Sequence, residues 1–164
     1  MANLSLTRVN QKLAQAKLAI QAAGSEQLTQ IHINSQMEAA AFHLMCAYQH
    51  YLREIAETYG LKQTLGLRTE ADLANAFIAA AKQPAEAEEL SSLARNSQSW
   101  LAQLQRYYDS LWAVPVPITH QAEDALIPLI NLEPVEQVSP ESISSWHKAF
   151  VELAMRQRET SAEF

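Results

Sequence analysis

The first 112 residues hold three glycines, at 24, 60 and 66, and one proline, Pro84. A chain with so few breakers can run in long helices, and its apolar residues are spaced for that. Leu6, Val9, Leu13, Ala16, Ile20 and Ala23 recur in steps of three and four, which puts them on one helical stripe. Gly24, as a residue able to take the left-handed conformation, is expected to end this helix at about 23. Ile33, Met37, Ala40, Leu44, Tyr48, Tyr51 and Ile55 form a second stripe, closed by Gly60. Ser35 with Glu38 makes a possible capping box, but Leu28 and Ile31 carry the pattern upstream and favour a start near 27.

Thr69 and Asp72 predict a cap for a short helix over about 70–82, with Leu73, Ala76, Phe77 and Ala80 on one face. Beyond Pro84, three glutamates open what reads as one helix over 86–112, its apolar positions running from Leu90 to Leu111 through Ser97. Ser139, Pro140 and Glu141 read as cap, first and second positions of a last helix over 140–159, with 160–164 as a frayed tail. The predicted fold is therefore all-α: a single-domain bundle, residues 1–159, of four main helices (6–23, 27–59, 86–112, 140–159) and a short one.

Five of the six prolines fall after residue 112, so 113–138 cannot be one regular helix. Val116, Ile118, Leu126, Ile127, Leu129 and Ile130 make that stretch too apolar for a linker, and predict a seal across the bundle, a lid or a partner surface.

Twelve basic against eighteen acidic side chains give a net charge of −6, which repels phosphate backbones and anionic lipid alike. No nucleic acid and no membrane is expected as partner, and no apolar run is long enough to span a bilayer. Cys46 is the only cysteine and excludes an internal disulfide, as suits a reducing, cytoplasmic setting. The N-terminal residues lack the basic-then-apolar pattern of an export signal.

Catalytic signatures are missing. Three scattered glycines make no phosphate-cradling loop, and no Glu is followed three residues later by His as in di-iron bundles. His43, Cys46 and His50, with Glu54 beyond, share a helical face and offer donors that a transition metal accepts. The competing reading is a flank on which the imidazoles hydrogen-bond and a small cysteine packs. Trp100, Tyr107, Tyr108, Trp112, Trp146 and Phe150 read either as a binding hot spot or as packing between two neighbouring helices.

The stretches Ala41–Tyr48 (AFHLMCAY) and Glu54–Tyr59 (EIAETY) resemble the central helix of a family of small bacterial proteins defined as a domain of unknown function; Ser99–Leu104 (SWLAQL) is similar to its next long helix. The resemblance implies a bacterial, cytosolic helical protein and assigns no site residue. The central helix is also similar in outline to the HEPN superfamily of helical ribonucleases and nucleotide-binding modules. That family's catalytic arginine, followed after four to six residues by histidine, has no counterpart here. The expectation is a non-enzymatic interaction or assembly module without a cofactor, its partner another protein or a second copy. A metal or small ligand on the His43/Cys46/His50 face is the alternative, and a degenerate HEPN-like nucleic-acid module the third.

Overall fold

A computed structural model of the chain describes residues 3–114 and 138–162. Among these residues there are six helices and no strand: α1 (Leu4–Ala23), α2 (Gln30–Thr58), α3 (Glu70–Ala79), α4 (Ala85–Arg95), α5 (Trp100–Ser110) and α6 (Pro140–Ala162). The all-α reading holds, with corrections to its parts.

Helix α1 starts where Asn3 accepts a hydrogen bond from the Leu6 amide at 2.9 Å, satisfying one of the first-turn donors. It ends at Ala23 as expected, but Gly24 has φ −84° and is not left-handed; Gln27, at φ 67°, takes that conformation in the following turn. Helix α2 begins at Gln30, near the longer of the two predicted starts, and Gly60 just past its end is left-handed at φ 79°. The two helices pack as an antiparallel pair. Ala16, Ala19 and Ala23 on one and Ala40, Ala41 and Ala47 on the other are buried, and their small side chains permit close approach.

The predicted cap of α3 is a complete capping box: Thr69 Oγ1 accepts from the Asp72 amide at 3.1 Å, and Asp72 accepts from the Thr69 amide at 2.9 Å. The helix stops at Ala79, three residues before the expected end, and Ala81 turns the chain at φ 54°.

The single helix expected over 86–112 is two. Asn96 leaves the helix at ψ 104° and its side chain accepts from the Gln98 amide at 3.0 Å. Ser99 then caps α5, accepting from the Ala102 amide at 3.1 Å while donating to the Leu93 carbonyl at 2.6 Å. Short polar side chains competing for backbone groups are the reason the helix breaks here.

Ser139 caps α6 as predicted, accepting from the Ser142 amide at 3.2 Å. This helix continues to Ala162 and so includes three residues of the expected tail. Ser161 is held there by the Gln157 carbonyl and by Glu86 on α4.

Helix α2 is the centre of the core. Its fully buried Leu44, Tyr48 and Leu52 share one cluster with Leu73 and Phe77 of α3, Leu90 of α4, Leu101 and Leu104 of α5, and Ile143 and Phe150 of α6. Trp100 stacks on Phe150 with ring centroids 5.3 Å apart, Tyr107 lies against Trp146, and Trp146 donates to Gln103 at 3.1 Å. Most of the late aromatics are thus packing between α5 and α6. Trp112 is the exception, 73% exposed and in a T-shaped contact with Tyr108.

Candidate functional site

The last two turns of α2, the first turns of α1 and α4, and the end of α6 enclose an open cleft of about 250 Å³. At its centre Glu54 of α2, only 4% exposed, meets Arg158 of α6 in a two-point ion pair, with Nε–Oε1 2.6 Å and Nη2–Oε2 2.9 Å. The same guanidinium donates to Asn10 of α1 at 3.2 Å and lies 6.0 Å from the Tyr51 ring centroid. The carboxylate keeps Arg158 charged and raises its pKa further above the ordinary value, although burial acts the other way.

A second carboxylate faces the cleft. Glu86, in the first turn of α4 and 7% exposed, accepts from Tyr59 Oη at 2.9 Å and Ser161 Oγ at 2.8 Å. Both donors are neutral hydroxyls, and no ion pair forms at Glu86 among the described residues. The α4 amide dipoles offset part of its charge. Behind the cleft a chain of bonds runs from Tyr51 Oη to Gln157 (2.6 Å), from Gln157 to Glu89 (2.8 Å) and from Arg156 to Glu89 (2.5 Å). Burial pushes Glu89 up, but the hydrogen bonds from Arg156 and Gln157 outweigh it and hold the group below its usual range.

These groups suit holding better than turning over. Burial raises the Tyr51 phenol well above its ordinary pKa, with Glu54 adding to the shift, and Tyr59 is raised by burial and by its bond to Glu86. Both phenols therefore stay protonated near neutrality, and Glu54 is already engaged by a cation. The cleft offers a polar, partly aromatic cradle without an activated nucleophile.

The four residues predicted as a metal face are not gathered. Glu54 turns to the cleft and pairs with Arg158, while His43, Cys46 and His50 lie beside α1. Burial and Lys12 lower the His43 pKa. Burial followed by Arg53, Arg8, Lys12 and Arg68 lowers that of His50. Burial raises the Cys46 thiol, against the pull of Lys12 and Arg8, so it is not a ready thiolate. Among the described residues no three His, Cys, Asp or Glu side chains come together as an ion site would need. The predicted partner surface, Val116, Ile118, Leu126, Ile127, Leu129 and Ile130, lies outside the described residues.

The residues that sequence reasoning missed are Glu86 and Arg158. Each has an ordinary helix-end role by position, Glu86 in a first turn and Arg158 in a last one, and nothing local marks them as partners of a cleft. Their signal is that both are charged residues that fall on the buried side of their helices.

Among the described residues no helix is long and apolar enough to cross a membrane. No curated protein and no solved structure matches the chain with significance. A family model does match, over residues 1–164, and it is the outcome the AFHLMCAY and SWLAQL segments pointed to. The chain belongs to DUF6586, a family of unknown function.

Proposed function

We propose that the chain is a non-enzymatic binding module, working as one domain in the bacterial cytoplasm, and that its cleft holds a small organic cation. The observation that carries this reading is Glu86: a buried carboxylate facing an open cleft with hydroxyl donors and, among the described residues, no cationic partner. An ammonium or guanidinium group placed there would gain a charged hydrogen bond, while the Tyr51 and Tyr59 rings and Ile55 would cover its apolar part. The lone thiol Cys46 supports the reducing compartment.

Calorimetric titration with n-butylammonium against n-butanol tests the idea. Saturable binding of the cation alone, lost in Glu86→Gln with helical circular dichroism intact, supports it. Equal heats from both compounds, or binding retained in Glu86→Gln, would sink it.

A second reading, assembly with a protein partner or another copy, is favoured by Trp112 and Val114, 73% and 82% exposed at the end of α5. Native mass spectrometry decides this one. A monomer that stays monomeric at high concentration removes self-assembly.

A further inference from the structure

We propose that the flank of α1 and α2 around His50, away from the cleft, is a docking surface for an acidic segment of a partner protein. Arg8 and Lys12 are one turn apart on α1, and the bond from Ser5 to Glu57, 2.9 Å, fixes the antiparallel register that lays them beside the second half of α2. From the other side the 61–69 loop folds back. Arg53 donates to the Leu65 carbonyl at 3.3 Å, and Arg68 donates to Gln49, the neighbour of His50, at 3.0 Å. Four of the chain's twelve basic residues thus converge on one face of a protein whose net charge is −6.

The carboxylates near these cations, Glu57 and Asp72, are bound to other groups, Asp72 accepting from the Arg68 and Thr69 amides. Lys148, Arg156 and Arg158 each have an acidic partner, whereas Arg8, Lys12, Arg53 and Arg68 form no ion pair among the described residues. Among the described residues the Arg8 side chain donates to Gln11 alone, and the buried Arg53 Nε has no acceptor. Glu57 offsets Arg53, but its Oε1 already accepts from Ser5 and Thr64. Burial first, and then these four cations, lower the His50 pKa, so its imidazole stays uncharged near neutrality. Mutual repulsion of this kind is relieved when an anion docks.

The anion is a short one. Charges separated by more than about 8 Å are screened at physiological salt. A segment with a few clustered Asp or Glu residues keeps its charge over the patch, while a nucleic acid would trail its phosphates across the acidic remainder of the surface.

The test is fluorescence anisotropy of a labelled oligoglutamate peptide with the full chain at low ionic strength. The peptide is expected to bind, and the Arg8→Gln/Lys12→Gln variant to bind about tenfold more weakly. Arg68→Gln, which removes a patch charge from a different element, is expected to weaken binding in the same direction. Lys148→Gln, a charge change elsewhere, should leave it unaltered. No binding, or an equal loss in Lys148→Gln, overturns the proposal. Tighter binding of an oligothymidylate of equal charge overturns it too, in favour of nucleic acid.

Discussion

Two residues with left-handed backbone show how unevenly the chain is tuned for its turns. Gly60, at φ 79°, has no heavy atom within 4 Å of where a Cβ would stand, so only backbone conformation holds the position to glycine. Ala81 adopts φ 54° with a Cβ, at a cost of about 1 kcal/mol. It is kept there because the Lys82 amide closes the end of α3 on the Phe77 carbonyl at 2.9 Å, and because the Lys82 ammonium donates to the Tyr59 carbonyl. Ala81→Gly is expected to stabilise the fold by about 0.5–1 kcal/mol, read as a rise in urea midpoint at unchanged slope. A lower midpoint would mean that glycine's freedom in the unfolded chain outweighs the relieved strain. The sequence made Gly60 legible, since glycine is the usual residue there. It gave no sign of Ala81, whose strain is imposed by the tertiary path of the 80–84 turn.

At the scale of elements, periodicity foretold each helix but misjudged a joint. Leu93 and Leu101 are in phase across residues 94–100, so stripe counting reads through the break, although Asn96, Ser97 and Ser99 are all side chains that compete for backbone bonds. The docking of α6 was legible only in part. Ile143, Trp146, Phe150 and Leu153 declared its inward face, whereas Arg158 meets Glu54 across 104 positions of sequence, which no spacing rule detects. That pair fixes the end of α6 on α2. Arg158→Met leaves a buried carboxylate without its cation and is expected to cost about 3 kcal/mol in chemical denaturation. Combining it with Glu54→Leu should recover most of the loss. If the double variant is no more stable than the single one, the pair stabilises through its links to Asn10 and Tyr51 instead.

Over the whole molecule, charge is sorted as well as counted. Cations gather beside the α1/α2 pair, and the glutamates of α4 meet the end of α6. Composition showed the net −6 but could not show the sorting, because Arg8, Arg53 and Arg68 are far apart in sequence. Burial of two histidines, with these cations adding to it, brings acid sensitivity that begins above the carboxylate range. His43 and His50 have folded pKa values below their unfolded ones, so the unfolded chain takes up protons first, and stability present above about pH 6.5 falls as pH drops through that value. Asp72, held low by the Arg68 and Thr69 amides, and Glu89 add a second loss of the same sign below about pH 4.5. Urea midpoints at pH 7.5 and 5.5 should therefore differ, and His50→Gln should narrow the gap. A midpoint flat over that interval would show that the imidazoles titrate as they do in the unfolded chain.

Asn3 and Ala162 line the same cleft, so the two ends of the described chain are neighbours in space. The path is close to a ring, and a short peptide joining the ends would complete it. New termini could then be opened in the exposed turn between α1 and α2, giving the same helices in a permuted order.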